Sequence, residues 1–274
     1  MNYLHFTLRP LSKEQQEILI AQLSEIGFDG FEEGTNELAA FIPEKDFNET
    51  NFNEIISDTH AQTSRVVVPP TNWNEEWEKN FDPVVVDRFC AVRAHFHAPV
   101  MAVEHEIIIT PKMSFGTGHH ATTYMMIDFM QYMDLAGEKV LDFGTGTGIL
   151  AILAEQCGAT AITAIDNDHW SIDNAAENIA INRSRAITLQ KADSLAMTDQ
   201  FDVILANINK NVLLGNMAGI RQHLRHGGVV LMSGLLKGDR QDIEAAAIKE
   251  QLKIVDQKER QNWIALLLRE EEGA

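Results

Sequence analysis

The chain of 274 residues is 45% hydrophobic and 23% charged, enough to bury one sizeable core plus a small second domain. Its 22 Lys and Arg stand against 40 Asp and Glu, and the formal net charge of -18 argues against an electrostatic grip on nucleic acid or an anionic membrane surface; a basic partner fits better. Cys90 and Cys157 are the only cysteines, which gives neither a disulfide framework nor a metal cluster and points to a reducing, cytoplasmic setting.

No apolar run is long enough to span a membrane, and the opening MNYLHFTLRP has neither the basic nor the apolar region of a signal peptide. Tyr3 to Leu8 alternates as a strand does, and Ser12-Lys13-Glu14-Gln15 reads as a capping box opening a helix that ends at Gly27. Leu19, Leu23 and Ile26 give that helix an apolar stripe. Phe28 to Glu33 and Glu37 to Ile42 read as strands joined by the turn Gly34-Thr35-Asn36. A helix from Phe47 to Ser57 and a strand from Arg65 to Val68 complete a small ferredoxin-like α+β domain, residues 1–70, closed by Pro69-Pro70. Residues 71–98 read as a linker, with Trp73, Trp77 and Phe81 at spacings of four, a short helix whose rings pack on the next domain. Strand-like runs follow at Val84 to Val86, Phe89 to Ala94 and Glu106 to Thr110.

A helix from Ala121 to Met133 carries Met126, Phe129, Met130 and Met133 on one core-facing stripe. From Lys139 strands alternate with helices, the mark of a doubly wound parallel sheet within a domain of residues 99–274. The strands are Lys139 to Phe143, Ala161 to Ile165, Ala186 to Gln190, Phe201 to Ala206 and Gly228 to Ser233. The ending departs from a plain dinucleotide-binding fold: after a helix near Asp239 to Glu250, Leu252 to Val255 and Trp263 to Leu268 form an antiparallel hairpin.

The strongest local signal is VLDFGTGTGIL, residues 140–150, where a strand runs through three glycines into an apolar helix. Glycines at such a corner tolerate positive φ and let the backbone approach a ligand. Gly146, Gly148 and Ala151 satisfy G-x-G-x-x-A for a dinucleotide, while Asp142, Gly144, Gly146 and Gly148 satisfy D-x-G-x-G-x-G for S-adenosylmethionine. Asp142 favours the second, because its carboxylate repels a pyrophosphate yet suits a cationic amino acid, directly or through water. Asp166, at the end of the second strand, is placed to accept from two ribose hydroxyls. Asp193 follows the third strand, where it can accept from an adenine amino group, and Asn207 ends the fourth beside the reacting centre.

With FGTGHHATT at residues 115–123, DFGTGTGILAI and LANINKN, the chain resembles the ribosomal protein L11 methyltransferase family over its whole layout. The resemblance implies a class I methyltransferase fold with a small N-terminal substrate-recognition domain, S-adenosylmethionine as donor, and amino groups of ribosomal protein L11 as acceptor. It implies that Thr123, Gly144, Asp166 and Asn207 bind the cofactor and that Phe115, Gly116 and Thr117 belong to the segment covering it. The family's G-T-G-T-H-P-T-T reads G-T-G-H-H-A-T-T here, so His119 stands for a threonine and Ala121 for a proline. Asn207 is then expected to orient the attacking amine rather than act as base, with His119 and His120 as candidates for passing its proton to water. Residues 1–70 hold four basic and twelve acidic residues, a net of -8 suited to a basic ribosomal protein. A monomer acting directly on protein, with no metal, completes the expectation.

Overall fold

A computed structural model describes residues 2–57, 59–68, 82–111 and 119–271. The expected aromatic linker helix, from Trp73 to Phe81, lies outside these residues. The chain divides into two compact units, Met1–Asn80 and Phe81–Ala274.

In the first unit β1 (Tyr3–Arg9) buries Leu4, Phe6 and Leu8 on one face, as its alternation requires. The capping box forms: Ser12 Oγ accepts from the Gln15 amide at 3.3 Å, and Gln15 Oε1 accepts from the Ser12 amide at 2.9 Å. It opens α1 (Lys13–Glu25). The hairpin of β2 (Gly30–Glu33) and β3 (Leu38–Pro43) closes through the Gly34 amide donating to the Glu37 carbonyl. α2 (Glu49–Ile56) starts two residues later than the hydrophobic pattern implies, because the Asn48 side chain caps it by accepting from the Thr50 and Asn51 amides. With β4 (Gln62–Val68) the sheet order is β2-β3-β1-β4, antiparallel throughout, over a core that includes Leu19, Leu23, Phe28 and Phe52.

The second unit opens with a three-stranded sheet of β5 (Val84–Val86), β6 (Cys90–Ala94) and β7 (His105–Ile109), in which β6 and β7 run parallel. In α3 (Ala121–Met130) Met126, Phe129 and Met130 are buried, and Met133 packs half-buried from a tighter closing turn in which its amide donates to the Met130 carbonyl. The main sheet is assembled from β8 (Lys139–Phe143), β9 (Ala161–Asp166), β10 (Ile187–Lys191), β11 (Phe201–Asn207), β12 (Leu224–Leu236), β13 (Leu252–Arg260) and β14 (Trp263–Glu270). Between them run α4 (Ile149–Gln156), α5 (His169–Ile181), α6 (Lys210–His223) and α7 (Arg240–Lys249). The order is β10-β9-β8-β11-β12-β14-β13; the first five strands are parallel and β14 inserts antiparallel between β12 and β13. This is the class I methyltransferase sheet with its antiparallel ending, as expected.

β12 extends well beyond the expected Gly228 to Ser233, and its pairing with β14 slips between Met232 and Leu235. Gly234, at φ +83°, makes this bulge. Chain order reverses between β8 and β11, so the carboxyl ends of these two strands flank the crevice where open α/β sheets bind ligands. No helix among the described residues is long and apolar enough to cross a membrane.

Candidate functional site

A cavity of about 900 Å³ opens at that crevice. The glycine corner forms one wall, with Gly144, Gly146 and Gly148 at φ of +78°, +54° and +81°. Its amides are turned inward: Gly144 and Thr145 both donate to the Ile165 carbonyl at 2.9 Å, Gly146 donates to Asp166 Oδ2 at 2.9 Å, and Gly148 donates to the Thr145 carbonyl at 2.9 Å. Amides so engaged do not form an anion-binding nest, and a carboxylate already faces them. The corner therefore suits an uncharged ribose and a cationic group better than a pyrophosphate.

Asp166 ends β9 in the cavity wall, its second oxygen accepting from the Asp168 amide at 3.0 Å. These two amides fix the carboxylate plane and leave lone pairs for further donors, since an ionised carboxylate has about four acceptor sites. Asn207 ends β11 on the opposite side, and its Nδ2 donates to Thr123 Oγ1 at 3.3 Å, which leaves Oδ1 as the acceptor of the carboxamide. Thr123 is buried at the start of α3 and also lines the cavity.

The turn Asn207-Ile208-Asn209 is wedged between two glycines. A Cβ on Gly144 would lie 2.1 Å from Ile208 Cγ2, and one on Gly234 would lie 2.3 Å from the Ile208 carbonyl oxygen. Asn209 then caps α6 by accepting from the Val212 amide at 3.2 Å.

Asp142 sits behind the corner rather than in the cavity wall. It is 1% exposed, and one carboxylate oxygen accepts from the Thr145 hydroxyl at 2.6 Å. Burial pushes its carboxyl up to about 6, against the lowering effect of the Thr145 hydroxyl and with a further rise from the negative Asp166. Its direct effect is thus on the shape of the loop. Asp193 lies exposed two residues beyond β10 and is not part of the cavity lining. Phe115, Gly116 and Thr117 lie outside the described residues.

The two histidines differ. His119 is exposed, with Nε2 2.7 Å from the Asp82 carbonyl, whereas His120 lines the cavity. His120 Nδ1 accepts from the Thr122 amide and lies 2.8 Å from Thr122 Oγ1, capping α3. In the neutral ring this puts the proton on Nε2, so His120 presents a donor to its surroundings. Its edge meets Trp263 with centroids 4.6 Å apart.

Trp263, Trp170, Ile208 and Gly234 also line the cavity and were not singled out by sequence reasoning. Trp170 is 78% exposed at the start of α5, an unusual setting for an indole. The available signals were a glycine directly after the fifth strand and a tryptophan opening the last one. Among the described residues no group of His, Cys, Asp and Glu is arranged to hold a metal.

Comparison with known proteins gives this geometry its family. The model of the family described as Ribosomal protein L11 methyltransferase (PrmA) matches residues 12–271. The ribosomal protein L11 methyltransferase of Porphyromonas gingivalis is 42% identical over 265 residues, covering 91% of this chain and 89% of that relative. Its namesake in Chlorobaculum tepidum is 40% identical over 242 residues, 84% of this chain and 83% of the relative. The crystal structure of ribosomal protein L11 methylase from Lactobacillus delbrueckii subsp. bulgaricus superposes with a TM-score of 0.64 at 30% identity, over 69% of this chain and 98% of that one. Matches of this extent, on a chain with this sheet and this cavity, show that it belongs to the ribosomal protein L11 methyltransferase family and is a methyltransferase.

Proposed function

We propose that this protein transfers methyl groups from S-adenosylmethionine to amino groups of ribosomal protein L11, on lysine side chains, the α-amine or both. The observation that carries the reading is the convergence of Asp166, the glycine corner and Asn207 on one cavity at the strand-order reversal. The residues present fit the donor: a fixed carboxylate for ribose hydroxyls at Asp166, a corner whose Gly144, Thr145, Gly146 and Gly148 amides are already engaged within the protein, and apolar walls from Ile149, Leu150 and Ile208. Thr123, Gly144, Gly146, Asp166 and Asn207 hold it in this reading, and Asp142 shapes the corner from behind. Phe115, Gly116 and Thr117 cover it, by resemblance.

When bound, S-adenosylmethionine supplies a methyl group on a positive sulfonium, ready for in-line displacement. The protein's work is to hold an amine lone pair about 3 to 3.5 Å from that carbon and aligned with the breaking bond. A lysine amine with a reference pKa of about 10.4 is neutral in about one molecule in 2,500 at pH 7, equivalent to about 4.6 kcal/mol. Apolar lining from Ile208 and Trp263 favours the neutral amine by desolvating it, and the positive sulfonium acts in the same direction. Asn207 Oδ1 accepts one amine N–H and turns the lone pair inward, while Thr123 holds the carboxamide in that orientation. Asn207 is therefore an orienting residue and not a base.

With the second unit, Phe81–Ala274, as the catalytic part, residues 1–70 read the substrate. Their net charge of -8, twelve acidic against four basic residues, supports capture of a basic protein rather than nucleic acid. The free thiols Cys90 and Cys157 fit work in the reducing cytoplasm, as a monomer. Calorimetry with S-adenosylhomocysteine tests the site: Asp166→Ala weakens binding by about 1.5 to 3 kcal/mol, as expected for hydrogen bonds to a charged group. Unchanged affinity in that variant would refute the assignment.

A further inference from the structure

One face of α5 and its C-cap carry asparagine at three successive turns, Asn174 and Asn178 within the helix and Asn182 at the cap. Spacing of this kind on a helix surface ordinarily marks a solvated stripe, yet Asn174 and Asn178 are 0% exposed. Their partners explain the burial. One edge of β7 pairs with β6, and the other presents the backbone groups of Ile108 and Thr110 without a strand partner. Asn182 takes the place of a strand there: Oδ1 accepts from the Ile108 amide at 2.9 Å and Nδ2 donates to the Ile108 carbonyl at 2.6 Å. One turn earlier Asn178 Oδ1 accepts from the Thr110 amide at 2.8 Å. The match is geometric, because four helical residues rise about 6.0 Å and two strand residues about 6.6 Å.

Asn178 does more than cover an edge. Its Nδ2 donates to the Thr147 carbonyl, inside the glycine corner, at 2.8 Å and to Asn174 Oδ1 at 3.2 Å, and Asn174 lines the cavity. One carboxamide, fully buried and with its acceptor and both donor directions used, thus joins the corner, the cavity wall and the end of β7. Asn182, by contrast, bonds only to Ile108 and to the Asn178 carbonyl.

We propose that Asn178 is a positioning residue for the donor site, holding Thr147 and Asn174 in register with β7 so that the glycine corner keeps its shape before any ligand arrives. The inference rests on the reading of that corner as the S-adenosylmethionine site. Asp at 178 keeps the acceptor for Thr110 but sets a carboxylate against the Thr147 carbonyl and Asn174 Oδ1. Asn182→Asp makes the same chemical change one turn away, clear of the corner.

The test compares N178D and N182D with the wild type in three measurements: thermal unfolding, amide hydrogen exchange at residues 144–148 in the ligand-free protein, and calorimetric affinity for S-adenosylhomocysteine. Both variants lower Tm. Only N178D speeds exchange at the corner and weakens affinity, each by about tenfold, the factor that corresponds to one buried hydrogen bond. N182D leaves both within about twofold of the wild type. Should N178D not fold, N178S, whose single hydroxyl replaces the carboxamide, takes its place with the same expectation. Wild type that binds S-adenosylhomocysteine, with N178D and N182D indistinguishable at the corner, would overturn this inference alone. Wild type that does not bind it would overturn this inference together with the functional reading.

Discussion

Replacing Gly234 by alanine adds one methyl group at the place where β12 bulges beside the cavity. The new Cβ would lie 2.3 Å from the Ile208 carbonyl oxygen, 2.7 Å from its carbon and 3.0 Å from its amide nitrogen. All three are backbone atoms, so no side-chain rotation relieves the overlap. The φ of +83° adds left-handed strain of about 1 to 2 kcal/mol for a residue with a Cβ. Overpacking adds about 1 to 3 kcal/mol, for a total of about 2 to 5 kcal/mol. Gly137 supplies the control, since its φ is +82° and a Cβ there meets nothing within 4 Å. Gly137→Ala should therefore lose only the strain portion. If instead the Ile208 turn yields, stability recovers, but Asn207 is carried with it, and a shift of about 1 Å in a positioning group costs about 10²-fold in rate. Denaturant unfolding and turnover measured on both variants separate these outcomes. Equal stability losses in the two, with turnover of G234A at the wild-type level, would refute the idea that Gly234 fixes the Asn207 turn.

Asn207→Ala should lower kcat far more than it weakens S-adenosylhomocysteine binding, because amine orientation matters chiefly in the transition state; equal losses would make Asn207 a cofactor ligand only. Asp142 sets a pH dependence whose sign is opposite to that of an exposed ion-paired carboxylate. Its pKa in the fold is about 6, above the unfolded value of about 3.9, so its contribution to stability is complete below the unfolded value and is lost as pH rises through about 6. The unfolding free energy of the wild type relative to Asp142→Asn should thus fall by about 2 kcal/mol between pH 4 and pH 7, and a difference that stays flat or rises would contradict the buried, raised carboxyl.

Much of the site was legible because its signals are local. A strand, three glycines and an apolar helix specify the corner within eleven residues, and Asp166 and Asn207 are found by counting to the ends of the following strands. What escaped depends on contacts between distant segments. Asp142 looks like a ligand in the motif, but its side chain turns under the loop to Thr145, a direction that the pattern does not contain. Asn178 reads as part of an ordinary polar stripe until Thr110, 68 residues away, is placed beside it. The need for glycine at 234 likewise comes from Ile208 in the preceding crossover, and Trp263 reaches the cavity only because β14 inserts beside β12. Element ends shifted where side chains cap the backbone, as Asn48 does for α2.

The most direct measurement is the mass of intact ribosomal protein L11 after incubation with S-adenosylmethionine and either the full chain or a chain beginning at Thr71. The account predicts that the full chain adds methyl groups at amino groups of L11. The rate should fall as salt shortens the screening length from about 10 Å at 0.1 M to about 3 Å at 1 M. The shortened chain should still bind S-adenosylhomocysteine and fail to modify the intact protein. L11 recovered without added methyl groups from the full-chain reaction would contradict the account at its centre.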